Sequence, residues 1–282
     1  MTTTTREYTE TATATAQSYY NSTDADSFYF TIWGGEDIHI GLYQDPEEDI
    51  GVASRRTVER MRRIVKPGPR SRVLDVGAGY GGAARALAGA TGCSVVALNL
   101  SEVENERDRA RNREAGLEDR IDVVDASFEE IPFEDGTFDI VWSQDAMLHS
   151  GRRERVLEEV SRVLKPGGQF VFTDPMRTDD CPEGVLDPIL ERLHLDDLAH
   201  PAFYRETLGS LGFREEQFEE MAHQLATHYQ RVHDETVCRD ADLSRVVSRD
   251  YIERMKKGLR HWVEGGRNGY LTWGIFHFLK EA

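Results

Sequence analysis

Glycines between residues 73 and 88 have the spacing of a turn that binds a nucleotide cofactor. The segment runs from an apolar strand through a glycine-rich turn into a helix of small residues. Glycine permits positive φ and close backbone approach, and the helix start directs free N–H groups toward a ligand. Gly77, Gly79 and Gly82 fit the dinucleotide fingerprint. With Gly81 in place of Gly82, the turn also fits the looser pattern of S-adenosylmethionine sites. The turn alone therefore does not decide between a dinucleotide and S-adenosylmethionine.

An acidic residue, Asp75, lies two positions before the first glycine. A carboxylate here suits a ligand with a cationic amino group and no pyrophosphate, because it would repel a pyrophosphate. A strand-end Asp that only caps the turn is the alternative, and Asp75 by itself does not decide between the two.

Polar residues also end the next two predicted strands. The second strand ends at Asn99, followed by Leu100, where a ribose hydroxyl needs a partner. The third strand ends in the acid-plus-small pair Asp125 and Ala126, which is suited to accept a hydrogen bond from an adenine amino group. These positions favour an adenosine-containing ligand.

The alternation of strands and helices with short connections predicts an α/β fold. A parallel sheet with helices on both faces follows from this order. A late apolar segment, residues 270–278, is predicted to add an antiparallel edge strand.

Three motifs in this order resemble the class I S-adenosylmethionine-dependent methyltransferases: the acid and glycines of the turn, the pair after the third strand, and the Leu-Lys-Pro-Gly-Gly run at residues 164–168. The resemblance implies a Rossmann-like sheet and S-adenosylmethionine as methyl donor, with no metal. One departure is Asn99, where the family usually has Asp or Glu, so the ribose contact should be weaker than a charge-assisted one. The residues placed at the cofactor are Asp75, Gly77, Gly79, Asn99, Leu100, Asp125, Ala126 and Gln144.

A closer resemblance covers nearly the whole chain past residue 17. It is to the bacterial sarcosine/dimethylglycine N-methyltransferases, which methylate the amino nitrogen of N-methylated glycines to make the osmolyte glycine betaine. The similar stretches are residues 17–21, 32–43, 142–145, 172–176, 180–184 and 269–277. Residues 144–149 also resemble, more weakly, the phosphoethanolamine methyltransferases. Methylation of phosphoethanolamine is therefore the alternative enzymatic activity. The alternatives without catalysis are a cofactor-binding protein and an NAD-binding module.

Methylation of an amine requires a base, because the acceptor is mostly protonated at neutral pH. His149 is the candidate, since its ordinary pKa lies near physiological pH. Asp145, one turn earlier, is expected to orient it; the alternative is that both residues simply start a helix. Tyr19 and Tyr20 resemble the tyrosine that pairs with such a histidine in the phosphobase enzymes, and the sequence does not say which one faces the site.

An amino-acid substrate needs a cation for its carboxylate and aromatic faces for its methylated ammonium. The candidate cations are Arg177, Arg205 and Arg231. The candidate aromatics are Trp33, Trp142, Tyr204, Tyr229 and Trp273. His39 and His228 are predicted to be structural.

Charge and composition limit the classes of partner that we expect this protein to bind. Fifty-one acidic residues against thirty-four Lys and Arg leave a net charge of −17, which disfavours nucleic acid and anionic membranes. No apolar run is long enough to span a membrane, and the sequence shows no signal-peptide pattern. The three cysteines are scattered, without the spacing of metal ligands. We therefore expect a cytoplasmic protein. The oligomeric state is expected to be monomer or weak dimer.

The sequence is predicted to consist of four segments with different roles. Residues 1–16 are predicted to be a disordered tail, and residues 17–66 to form N-terminal lid helices. Residues 67–175 form the S-adenosylmethionine-binding core. Residues 176–282 supply insertions over the substrate and the remaining strands of the same domain.

Overall fold

A seven-stranded sheet forms the centre of the computed structural model, which describes residues 21–193 and 195–282. Its strands are β1 (Arg72–Val76), β2 (Ser94–Asn99), β3 (Ile121–Asp125), β4 (Phe138–Gln144), β5 (Leu164–Thr173), β7 (Phe213–Glu220) and β9 (Gly274–Lys280). Their order is β3-β2-β1-β4-β5-β9-β7, and the pairs from β3 to β5 are parallel. A separate short pair joins β6 (Met176–Arg177) to β8 (Leu271–Thr272). The predicted α/β class is confirmed.

The antiparallel strand exists, but its predicted place at the sheet edge is wrong. β9 pairs with β5 on one side and β7 on the other, so it is an interior strand, and β7 forms the margin. The predicted segment is also divided, because its first residues form β8. Side-chain character explains the order: β9 is mostly buried, whereas β7 reads Phe-Arg-Glu-Glu-Gln-Phe-Glu-Glu, with the charges that edge strands carry. A register shift between Glu215 and Gln217 also breaks the ladder there.

Helices cover both faces of the sheet and its carboxyl edge. They are α1 (Thr23–Ile32), α2 (Ile50–Val65), α3 (Gly82–Thr91), α4 (Glu102–Glu114), α5 (Arg153–Val163), α6 (Asp187–Leu193), α7 (Pro201–Ser210), α8 (Ala222–Cys238), α9 (Asp240–Leu243) and α10 (Arg249–Arg267). A 3₁₀ turn, Met147–His149, follows β4. In the part of the chain described here, none of the helices has the length and apolar character needed to cross a membrane.

Apolar clusters fix these helices in place. One cluster joins β5 and β9 to α5 and α7, and another joins β1 and β2 to α2 and α3. A third packs Phe28 and Trp33, at the N-terminal end, against Tyr251 and Leu259 of α10. The N-terminal helix is therefore held by the C-terminal insertions, and the loop after it, residues 33–49, extends over the carboxyl ends of the strands.

Candidate active site

A cavity of about 740 Å³ opens at the carboxyl ends of the parallel strands. Five residues predicted at the cofactor line it: Gly77, Gly79, Asn99, Leu100 and Gln144. The rest of its wall is Ile38, Ser101, Glu104, Ser127, Phe128, Glu129, Asp145, Ala146, His149 and Ser150. Gly77 and Gly79 have φ of +79° and +54°, so both use the backbone freedom for which glycine is required. A Cβ on Gly77 would also lie 2.3 Å from the Cβ of Ala146, so the turn has no room for a side chain there.

The acid missing from the end of β2 is supplied by the next helix. Asn99 donates its Nδ2 hydrogen to Oε2 of Glu104 at 2.9 Å, and both residues line the cavity. Glu104 is 4% exposed, and burial raises its pKa to about 7 despite the hydrogen bond from Asn99. Sequence reasoning missed Glu104; its signal is an acid in the first turn of the helix that follows the strand.

The pair Asp125 and Ala126 does not lie on the wall of this cavity. Asp125 ends an edge strand, so its side chain turns toward α4, where it accepts a hydrogen bond from Asn105 Nδ2 at 2.7 Å and pairs with Arg109. The following residues, Ser127 and Phe128, form the wall instead. Their placement does not support the adenine contact predicted for Asp125 and Ala126.

Buried carboxylates surround a smaller adjoining cavity of about 310 Å³. Asp75 is 2% exposed, and burial, with the nearby charge of Asp108, raises its pKa to about 8. Burial works against the charge of Asp37, yet His39 and Arg55 lower its pKa on balance; Oδ1 of Asp37 lies 3.6 Å from Nε2 of His39. Within the described residues, Asp37 Oδ1 and Asp75 Oδ2 are buried without a hydrogen-bond partner. Two such oxygens at one cavity suit a cationic ligand group.

A third cavity, of about 540 Å³, shares Ile38, Asp145 and His149 with the first. Its wall is mainly aromatic: Tyr29, Trp33, Tyr229 and Trp262. The rings of Tyr229 and Trp262 are stacked with centroids 4.8 Å apart. His39, Ile40, Leu148, Pro175, Arg192, Leu193, His228, Met255 and Leu259 complete the described wall. We refer to it below as the acceptor cavity.

Among the predicted cage aromatics, Trp33 and Tyr229 line the acceptor cavity and the others do not. Trp142 is fully buried in the sheet core, where its Nε1 donates to Gln144 Oε1. Tyr204 is fully buried against Phe172 and donates its hydroxyl to Asp174 Oδ2 at 2.7 Å. Trp273 is buried and donates to Asp145. The prediction for these three was wrong because their side chains point into the core.

None of the three predicted arginines reaches the acceptor cavity. Their partners are acids outside it: Asp197 for Arg177, Glu215 for Arg205 and Glu235 for Arg231. The arginine on the wall is Arg192, from α6. Its sequence signal is its place three residues after Ile189, on the apolar side of a short helix.

His149 lies where the two larger cavities meet. Burial, with the charges of Arg192 and Arg153, lowers its pKa to about 4. The pKa of His149 thus lies below the ordinary histidine value, and the ring is uncharged at physiological pH. Tyr19 and Tyr20, the predicted partners of this histidine, lie outside the described residues.

Asp145 has a different position from the predicted one. It has a φ of +52°, and its two oxygens accept hydrogen bonds from Ile40 N at 2.6 Å and from Trp273 Nε1 at 2.8 Å. Both bonds tie the end of β4 to the loop at 33–49 and to the start of β9. Asp145 therefore fixes the cavity wall, and its role in orienting His149 stays a prediction.

No three or more His, Cys, Asp or Glu side chains are arranged to hold a metal ion in the described ranges.

Comparison with known proteins agrees with this geometry. Residues 74–172 match the methyltransferase-domain family. A sarcosine/dimethylglycine N-methyltransferase from Halorhodospira halochloris is 62% identical over 274 residues, 97% of this chain and 98% of the relative.

Solved structures extend the comparison to the fold. A Galdieria sulphuraria protein, provisionally assigned as a sarcosine dimethylglycine methyltransferase, superimposes with a TM-score of 0.88 at 42% identity, covering 93% of this chain and 99% of that one. A Haemonchus contortus phosphoethanolamine N-methyltransferase, solved with phosphomonomethylethanolamine and S-adenosylhomocysteine, has a TM-score of 0.80 at 18% identity, covering 94% of this chain and 60% of that one; this likeness concerns the fold alone. Because the identity to the Halorhodospira protein extends over nearly the full length of both chains, this chain belongs to the family of sarcosine/dimethylglycine N-methyltransferases.

Proposed function

We propose that this enzyme transfers methyl groups from S-adenosylmethionine to the amino nitrogen of sarcosine and of dimethylglycine, with glycine betaine as the final product. The observation that carries the proposal is the junction of the two larger cavities at Ile38, Asp145 and His149. A donor in one cavity and an amine in the other can meet there without solvent between them. The names of the relatives support the choice of substrates.

The cofactor is proposed to lie along the turn after β1. Gly77 and Gly79 allow its close approach, and Asn99 with Glu104 accepts the ribose hydroxyls. Asp37 and Asp75 receive the α-ammonium group, which accounts for their two buried oxygens without partners. Bound there, S-adenosylmethionine supplies a methyl group already activated by its positive sulfur.

The acceptor is proposed to bind through both of its charges. The Arg192 guanidinium can take the carboxylate in a bidentate contact. The faces of Trp33, Tyr229 and Trp262 can surround the methylated nitrogen, because aromatic faces attract cations without fixing them by a hydrogen bond. Positioning by these groups is most of the chemistry that the protein must supply.

His149 is proposed to accept the proton released by the acceptor amine. Its low pKa keeps the ring neutral, so one ring nitrogen is unprotonated at physiological pH and the ring does not repel the ammonium form. The same low pKa means that His149 must pass the proton on rather than keep it.

A phosphoethanolamine methyltransferase is the competing activity. Phosphate recognition requires several basic groups, and the described wall of the acceptor cavity contains one arginine and no lysine.

Incubation with S-adenosylmethionine and each of glycine, sarcosine, dimethylglycine and phosphoethanolamine, followed by product masses, tests the proposal. We expect dimethylglycine to gain one methyl group and sarcosine two. Methylated phosphoethanolamine would favour the competing activity, and tight S-adenosylhomocysteine binding without any product would favour a non-catalytic protein.

A further inference from the structure

His228 is a buried side chain on the wall of the acceptor cavity. It belongs to α8 and is 1% exposed. The rings of Trp33 and Tyr229 flank it, each with a centroid 5.5 Å away. The sequence predicted a structural role for this histidine, but only one of its two nitrogens has such a role.

The backbone fixes the tautomer of this ring. The amide nitrogen of Gly41 donates to Nδ1 of His228 at 3.3 Å, and an amide N–H cannot accept. Nδ1 therefore carries a lone pair, and the ring proton is on Nε2. The hydroxyl of Tyr43 lies 3.0 Å from the same Nδ1 and donates to it as well. Burial lowers the pKa of His228 to about 3, with a contribution from His39, so the ring remains neutral.

The protonated nitrogen, Nε2, makes no hydrogen bond to any residue in 21–193 or 195–282. It is on the opposite side of the ring from the loop amide that Nδ1 binds. Of the two flanking rings, Trp33 has no acceptor atom, and Nε2 makes no hydrogen bond to the hydroxyl of Tyr229. Because His228 lines the cavity and its Nε2 has no partner among the residues described, this N–H is available to a ligand that accepts a hydrogen bond.

We propose that His228 donates a hydrogen bond from Nε2 to the carboxylate of the amino-acid acceptor, which Arg192 binds at the same time. The inference rests on the proposed function, because it assigns a contact within that substrate site. A carboxylate has lone pairs for both donors. A neutral donor also adds affinity for the carboxylate without repelling the methylated ammonium a few atoms away. An amine that lacks a carboxylate leaves His228 without a partner, so this residue contributes to selectivity for amino acids.

Two substitutions separate the structural nitrogen from the binding one. His228→Asn retains an acceptor near the Nδ1 position for Gly41 but has no donor at Nε2. His228→Gln places an amide N–H near Nε2. His233→Asn is the control, because His233 is on the same helix and contacts Asp234 and Arg260.

The measurement is KM and kcat for dimethylglycine and for N,N-dimethylethylamine, which has the amine but no carboxylate. Loss of a hydrogen bond to a charged group should raise KM for dimethylglycine about 10-fold or more in His228→Asn. We expect S-adenosylhomocysteine affinity and the rate with N,N-dimethylethylamine to stay at the parent value, His228→Gln to recover most of the loss, and the control to match the parent. An unchanged KM, or an equal loss with both acceptors, would overturn the proposal while leaving the proposed function intact.

Nitrogen-15 NMR of the unmodified protein gives a readout that needs neither a variant nor turnover. With S-adenosylhomocysteine bound, His228 should show a protonated Nε2 and a bare Nδ1, and addition of glycine betaine should shift the Nε2 signal. A proton on Nδ1, or an Nε2 signal that glycine betaine leaves in place, contradicts the assignment. If the parent protein methylates no N-methylated glycine in the assay, it is the proposed function that has failed.

Discussion

Gly79 borders both the cofactor cavity and the smaller cavity beside it. Its φ is +54°, and a Cβ built on it would lie 3.6 Å from Cδ1 of Ile38, in the space between the turn and the covering loop. Gly79→Val should therefore lower S-adenosylhomocysteine affinity more than 100-fold, measured by calorimetry. Gly116→Val is the matched control, because Gly116 also has a positive φ (+64°) but nothing within 4 Å. Equal losses in both variants would assign the effect to backbone strain rather than to the cofactor.

Asn99 supports a second prediction. From sequence alone, Asn99→Asp would strengthen the ribose contact by adding a charge. In the structure the new carboxylate would face Glu104, 2.9 Å from the present amide nitrogen, and would lose that hydrogen bond. We expect affinity for the cofactor to fall about 10-fold at about pH 8, where Glu104 is mostly ionised, because two like charges this close repel. Asn99→Asp with Glu104→Gln should restore affinity to within a few-fold; a gain in the single variant would show that Glu104 is protonated or turned away.

His149 supports a third prediction. His149→Ala should lower kcat/KM for dimethylglycine about 100-fold, since the proton acceptor is lost, and leave cofactor affinity unchanged. With a pKa of about 4, His149 remains unprotonated throughout the neutral range, so the parent rate should rise from pH 6 to 9 as the acceptor amine deprotonates. Higher pH should partly rescue the variant. Near-parental rates at neutral pH would show that positioning alone is enough.

At the scale of elements, the loop at 33–49 touches the start of α3. A Cβ on Gly82 would lie 2.3 Å from Oδ1 of Asp37 and 2.5 Å from the carbonyl oxygen of Glu36. Glu36 also holds Arg85 through an ion pair of 2.6 Å and pairs with Arg111. The loop is thus fixed to the core by close backbone approach and by charge.

Gly82→Ala should displace this loop. We expect faster hydrogen exchange at its amides and about 10-fold weaker S-adenosylhomocysteine binding. Gly89→Ala in the same helix is the control: its Cβ would make only an ordinary 3.9 Å contact with Leu117, and alanine should stabilise the helix by about 1 kcal/mol. Parental exchange in Gly82→Ala would mean that the loop does not depend on this contact.

The elements also show what sequence could predict. Motifs tied to a strand end, such as Gly77, Gly79 and Asn99, reach the cofactor cavity because the sheet brings parallel carboxyl ends together. Side chains on insertions are different, since their direction depends on how distant helices pack. That dependence explains both the missed Arg192 and the wrong expectation for Arg205, whose helix faces β7.

The pH dependence of stability belongs to the whole molecule. Burial raises the pKa of Asp75 to about 8 and that of both Glu104 and Asp174 to about 7. The folded state therefore holds protons that the unfolded chain releases, and the free energy of unfolding falls as pH rises from about 6.5 to 8. His149 and His228 are neutral in the folded state, whereas an unfolded histidine titrates at about pH 6.5, so these two residues oppose part of the fall at the lower end of the window and little of it above about pH 7.5.

Urea denaturation across that window measures the effect. Asp75 alone should account for about 1–2 kcal/mol of the fall. Asp75→Asn should flatten the curve, and a bound cofactor should also reduce the fall in the parent if its ammonium group compensates the charge. A parental slope in the variant would mean that Asp75 does not titrate in this range.

The order of the last strands has a further consequence. Since β9 is inside the sheet, the edge strand on this side is β7, whose glutamates and irregular register leave a poor template for a further strand. A second copy approaching this margin would align carboxylates with carboxylates. The placement of one antiparallel strand thus protects this edge of the sheet against pairing with a second copy.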